Sequence, residues 1–178
     1  MGYGYGVHGT QLIETSIIPG YDHQVTDDVR WLTTAEQEAW RAYLELTIRL
    51  DEVFDRGLRR AGLNQAYYEI LVRLSEADDR RLRMSALAER SASSRSRLSH
   101  AVARLEEQGY VRREECPTDR RGQVCVLTDA GFAKLAAVAP VHVTDVREGL
   151  LDALTPAEVR TFGALCATVL RHLDAREG

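Results

Sequence analysis

Eleven of the chain's 23 Lys and Arg residues fall within residues 80–121, a stretch that holds only 6 of its 27 Asp and Glu. The whole chain carries a net charge of −4. A polyanion, however, responds to the field within about one Debye length, ~8–10 Å at physiological salt, rather than to the total. All eleven are arginine, whose planar fork grips phosphate or a base edge bidentately. That preference is global, because Lys134 is the only lysine, so it carries no local meaning. Spacing is more informative. Ser94, Arg95, Ser96, Arg97, Ser99, His100 and Arg104 lie close together, and Asp119, Arg120 and Arg121 follow. Arginine forks onto guanine O6/N7, Ser and His bond base edges, and further arginines take phosphate. A solvated charged face explains the same residues unless a scaffold aims them at a duplex.

Other chemistry finds little support. His8, His23, His100, His142 and His172 are scattered, and none stands at metal-ligand spacing with a cysteine or carboxylate, so neither a metal nor a cofactor is expected. No glycine-rich phosphate loop, nucleophile elbow or catalytic carboxylate pair occurs, and Gly2–Gly6 has no strand before it, which argues against an enzyme. Cys116, Cys125 and Cys166 are odd in number and far apart, in keeping with a reducing compartment. No apolar run nears the ~18 residues of a membrane span and no signal-peptide order opens the chain, so a cytoplasmic protein without membrane contact is expected. With 178 residues and 44% hydrophobic content, a single packed domain is the natural size and wholesale disorder is excluded.

The elements that must position the arginines follow from periodicity. Residues 1–30, with glycines at 2, 4, 6, 9 and 20, read as an arm, docked on the core or on a second subunit through Leu12, Ile13, Ile17 and Ile18. Thr34 with Gln37 resembles a capping box for a long helix that Gly62 stops. A second helix is expected over Gln65–Ala77, then short helices over 85–91 and 94–108, the latter capped by Ser94. Leu98, Ala101, Val102 and Leu105 pin one face of that helix to the core and leave the Arg/Ser/His face outward. After Gly109 the period becomes two: strands over 110–115 and 123–127 are joined by the loop Cys116–Gly122. Thr128 caps a helix kinked at Pro140, and Thr155-Pro156-Ala157-Glu158 opens the last. This order is mainly α with a small β-hairpin wing, a winged helix-turn-helix over 63–127 flanked by helices over 31–62 and 128–178. The first and last helices carry Trp40, Phe54, Phe162, Leu165, Val169, Leu170 and Leu173, more apolar surface than one such lobe covers, which points to a homodimer.

Residues 31 to 175 resemble the multiple-antibiotic-resistance regulator (MarR) family of transcription factors. The likeness rests on Leu87-Ala88-Glu89-Arg90, Ser94-Arg95-Ser96-Arg97-Leu98-Ser99 and Arg104-Leu105-Glu106-Glu107-Gln108-Gly109-Tyr110-Val111. It continues through Asp119-Arg120-Arg121 and Leu127-Thr128-Asp129-Ala130-Gly131. The resemblance implies a homodimeric repressor on a palindromic operator in double-stranded DNA, with interlocked terminal helices. In the wing motif it sets Asp119 opposite Arg121, with Arg120 or Arg121 reaching a minor groove, where a narrow A·T tract concentrates negative potential. It also implies a small hydrophobic or phenolic effector, for which Trp40, Tyr43, Tyr67 and Tyr68 are the candidate walls, although their spacing favours plain core. The chain departs from the family at Ser91-Ala92-Ser93, where an apolar residue and then glycine are usual. A further departure is that no cysteine stands near the start of the first core helix, where oxidant-sensing members carry one. The alternatives are a winged-helix module for protein partners and a thiol-based sensor through one of the three cysteines.

Overall fold

The computed structural model describes residues 29–91, 94–116 and 119–177, with the side chains of 119–121 and 177 left aside. The proposed arm therefore lies outside the described residues, except for its end at Val29 and Arg30, as do Ala92 and Ser93 of the turn. The elements are α1 (Thr34–Arg60), α2 (Gln65–Ser75), a 3-10 turn (Asp78–Arg80), β1 (Arg81–Arg83), α3 (Met84–Arg90) and α4 (Arg95–Glu107). There follow β2 (Val111–Cys116), β3 (Asp119–Leu127), α5 (Asp129–Gly149), a second 3-10 turn (Leu151–Ala153) and α6 (Pro156–Glu177). The chain divides into two compact units, one ending at Arg49 and one from Leu50 onward.

In the first unit the helix start is set by Thr33 and Glu36, one residue before the expected Thr34/Gln37 pair. The Glu36 carboxylate accepts from Thr33 N at 2.7 Å and from its hydroxyl at 2.9 Å, while Glu36 N donates back to Thr33 Oγ1 at 3.3 Å. A carboxylate near a helix N-terminus also favours the macrodipole, an advantage Gln37 lacks. Those two bonds from Thr33 hold the Glu36 carboxyl below its usual range. Gln37 is instead buried and donates to Leu32 O at 3.4 Å.

The second unit holds the main core, built by α2, α3, α4, α5 and the inner face of a three-stranded antiparallel sheet in the order β1-β3-β2. Leu71, Leu74, Leu87, Val102 and Leu105 are fully enclosed there. The sheet exceeds the expected hairpin in two ways. Arg81–Arg83 adds a strand that pairs with Val124–Val126. In addition, β2 and β3 extend to Cys116 and Asp119, which face each other across a bulge after Glu115, so the connection is shorter than the expected Cys116–Gly122 loop. Two helices end in glycine-dependent Schellman turns. Gly62 (φ 79°) donates to Arg59 O at 3.0 Å and Leu63 N to Leu58 O at 2.9 Å; Gly109 (φ 75°) donates to Glu106 O and Tyr110 N to Leu105 O, both at 2.9 Å. The second of these turns aims β2 back along α4. Helix α2 stops at Ser75 rather than Ala77. Helix α5 continues through Pro140 as one element. Thr155 and Glu158 form the expected box at α6, with bonds of 2.7, 2.8 and 3.3 Å.

Candidate nucleic-acid interface

Helix α4 is anchored by Leu98, Val102 and Leu105, all at most 2% exposed, with Ala101 packed beside them. Its cap is Ser94, whose hydroxyl accepts from Arg97 N at 3.4 Å. With one face so fixed, Ser94, Arg95, Ser96, Arg97, Ser99, His100 and Arg104 are all exposed together on the remaining surface. Burial thus separates the residues of α4 as their spacing predicts.

Ion pairing then sorts the arginines of residues 80–121. Arg80 lies over the Phe132 ring at 3.9 Å and pairs with Asp129 at 3.4 Å. Arg81 and Arg112 both bond Glu114, the latter at 2.8 Å, covering the outer sheet face where Cys116, Val124 and Val126 are buried. Arg104 bonds Glu107 at 2.8 Å, which holds its guanidinium above its ordinary pKa, and Arg113 bonds Glu106 at 2.6 Å. Much of the local charge excess is thereby paired with neighbouring carboxylates. Among the described residues Arg95 and Arg97 have no such partner.

Arg95 and Ser99 face a cleft of about 390 Å³ that runs between α4, the start of α3 and β3. Its other polar walls are Arg83, Ser85 and Gln123, over a floor of Met84 and Leu98. Sequence reading missed these three residues. Arg83 belongs to a strand too short to show a period, and Ser85 and Gln123 carry no motif of their own. A smaller cavity of about 260 Å³ lies toward α2, lined by Glu69, Ser91 and Arg97 among others. Of the wing residues, Asp119, Arg120 and Arg121 lie on β3, and the side-chain pairing expected of Asp119 and Arg121 falls outside the described atoms.

Residues 61–122, which include the helix-turn-helix and most of the wing, match the model of the MarR family. A crystal structure of Sco3205, a MarR family transcriptional regulator from Streptomyces coelicolor in complex with DNA, is 49% identical. The likeness covers 82% of this chain and 92% of that one, with a TM-score of 0.77. The chain belongs to the MarR family. AbsC, a MarR family transcriptional regulator from the same organism, is 42% identical over 83% of this chain and 99% of its own, also at TM-score 0.77. The HTH-type transcriptional regulator PecS of Dickeya dadantii is 36% identical over 78 residues. That match covers 44% of this chain, and the chain spans about half the length of the curated relatives it matches, 46% for PecS. These relatives are transcriptional regulators, in line with the reading that the chain is not an enzyme. Among the described residues no helix is long and apolar enough to cross a membrane, and no cluster of His, Cys, Asp and Glu is arranged to hold a metal.

Two further sets of expected residues have definite places in this MarR-family chain. Trp40 and Tyr43 are exposed and stack at 5.7 Å in the first unit. In the second, Tyr67 and Tyr68 are half-buried against the core; Tyr68 lies 4.6 Å from the His142 ring, and burial raises its hydroxyl pKa. Phe54, expected on an uncovered face, instead meets His142 edge-on at 5.4 Å. Cys125 is wholly buried in the main core and Cys116 in the small cluster on the opposite sheet face, so the two thiols cannot meet. Burial first, and then the nearby Glu106 charge, push the Cys125 thiol up to about 12, leaving almost no thiolate at neutral pH. A thiol reagent is therefore expected to leave Cys116 and Cys125 unmodified in the native protein and to reach all three cysteines after denaturation. Rapid native labelling of Cys125, read by mass spectrometry, would contradict this burial.

Proposed function

We propose that the chain is a sequence-specific, double-stranded DNA-binding repressor that acts as a cytoplasmic homodimer on a palindromic operator. The observation that carries this reading is the outward face of α4. It offers Arg95 and Arg97, without an ion-pair partner among the described residues, beside Ser94, Ser96, Ser99 and His100 on a helix otherwise locked by Leu98, Val102 and Leu105. In the proposed complex α4 enters a major groove, where Arg95 reads a guanine and Ser or His bonds neighbouring base edges. Arg97 and Arg104 take phosphates, and Asp119, Arg120 and Arg121 bring the wing to the adjacent minor groove. That Sco3205, a relative 49% identical, was crystallised in complex with DNA supports duplex DNA as the ligand.

Dimerisation rests on apolar surface that no other described residue covers. Trp40, Tyr43, Leu44 and Ile48 are exposed on α1, as are Leu165, Val169, Leu170 and Leu173 on α6, the last four at 50–62%. A second copy related by a two-fold axis buries such faces and sets two recognition helices ~10–10.5 base pairs apart. A small hydrophobic or phenolic effector, contacting Tyr68 and neighbouring rings, then favours a conformation in which both lobes no longer fit successive grooves.

Selection of bound sites from random duplex DNA tests the reading. The expected product is an inverted repeat with that half-site spacing. Its affinity should fall steeply with salt, log K dropping by ~0.9 per phosphate contact per log unit. Binding to no duplex, or binding with a flat salt response, would instead favour a module for protein partners.

A further inference from the structure

Recognition by a helix and a wing together requires a fixed angle between them, and one pair of residues spans that junction. Glu106 lies in the last turn of α4 and Arg113 is the third residue of β2. One carboxylate oxygen of Glu106 accepts from Arg113 N at 2.9 Å; the other accepts from Nε at 2.8 Å and Nη2 at 2.6 Å. Because β2 is an edge strand in the order β1-β3-β2 among the described residues, the Arg113 N–H has no described strand to bond on its open side, and Glu106 supplies the acceptor. The side chains are only 29% and 33% exposed, and the Arg113 bonds hold the Glu106 carboxyl below its usual range. The Arg113 guanidinium is thus occupied by Glu106 rather than free for a phosphate.

The geometry of the wing makes this tie consequential. The last rung of the hairpin, Cys116 opposite Asp119, stands three residues beyond Arg113, ~10 Å away at ~3.3 Å per residue. A rotation of ~15° at the base then carries that rung through roughly 2–3 Å, enough to lift a donor out of hydrogen-bond range. The Schellman turn at Gly109 sets the direction of β2 through backbone bonds alone, whereas the Glu106 fork resists rotation about that turn.

We propose that Glu106 and Arg113 are positioning residues for DNA recognition, fixing the angle of the wing to α4 so that both meet the duplex at once. The inference rests on the DNA-binding reading above and adds residues that touch no DNA. The test compares the full-length wild type with Glu106→Ala and Glu106→Gln on the operator selected by the wild type, at temperatures where circular dichroism shows each variant folded. Expected is an affinity loss of about tenfold or more for Glu106→Ala and a smaller one for Glu106→Gln. The plot of log K against log salt should become shallower by about 1–2, the loss of one or two wing phosphate contacts at ~0.9 each. A tie that only stabilises the lobe would lower the melting temperature and leave the slope of the folded variant unchanged, and that result overturns the proposal. If Glu106→Ala does not fold, the slope of Glu106→Gln decides alone. A wild type that selects no site removes the DNA reading and this inference together; unchanged variants on a selected operator remove only the inference.

Discussion

Arg95→Ala is expected to produce the largest loss of operator affinity of any single substitution on α4. Arg95 is the first residue of the helix, is exposed, and has no ion pair among the described residues. Its removal therefore leaves no internal carboxylate unpaired, and the fold should be unaffected. A bidentate arginine–guanine contact contributes ~1–3 kcal/mol to discrimination, and the proposed homodimer would make it twice. The expected loss is thus about 2–6 kcal/mol, or roughly 30-fold to 10⁴-fold at ~1.4 kcal/mol per decade. Arg104→Ala should cost much less, because its guanidinium already has Glu107 at 2.8 Å and gains less from a phosphate. The two also differ in kind. Arg95→Ala should relax one base position in each half-site, while the loss at Arg104, like that expected at Arg121, should be similar across sequences. Titrating both variants against the operator and its single-base changes distinguishes them. Equal, sequence-independent losses would reassign Arg95 to the backbone.

The parts of the fold that could be read from sequence are those whose cause is local. Leu98, Val102 and Leu105 repeat at helical spacing because one face of α4 meets the core, and the same spacing predicts which arginines face outward. Thr155 and Glu158 satisfy each other within one turn, so their box needs no tertiary information. What escaped notice depends on distant partners. Arg81–Arg83 is a strand only because Val124–Val126 lies beside it. The start of α1 is a local exception: two overlapping capping signatures began at Thr33 and Thr34, and the carboxylate of Glu36, accepting two bonds, prevailed over the amide of Gln37. The Glu106–Arg113 tie lies seven residues apart across a left-handed glycine, a separation with no meaning in either period. Likewise, the charge excess of residues 80–121 is visible in composition, yet only the fold reveals that Arg80, Arg81, Arg104, Arg112 and Arg113 are paired with acidic partners.

Gly131→Ala is expected to destabilise the protein more than any other single-methyl addition at a described glycine where the obstacle is backbone. Gly131 lies in the first turn of α5, beneath the base of the wing. A Cβ there would stand 2.0 Å from Tyr110 O and 2.8 Å from Leu127 Cδ1. Neither neighbour is free to yield. Tyr110 O accepts from Thr128 N at 3.0 Å and lies 3.1 Å from the Thr128 hydroxyl, which donates to Gly109 O at 2.7 Å and accepts from Gly131 N at 3.0 Å. Moving the Tyr110 carbonyl therefore breaks the cap of α5 and disturbs the turn that launches β2. Overpacking costs ~1–3 kcal/mol and a lost cap ~1 kcal/mol, against which alanine's better helix propensity returns at most ~1 kcal/mol. A net loss of about 1–4 kcal/mol follows, or roughly 2–16 °C for a chain of this size. Gly109→Ala is the informative comparison. It has φ 75° but nothing within 4 Å of a new Cβ, so its cost is conformational only, ~1–2 kcal/mol. Denaturant titration of the two variants under identical conditions should rank Gly131→Ala as the more damaging. The reverse order would mean that α5 can slide away from Tyr110, and that the close contact between helix and wing base does not hold the lobe together.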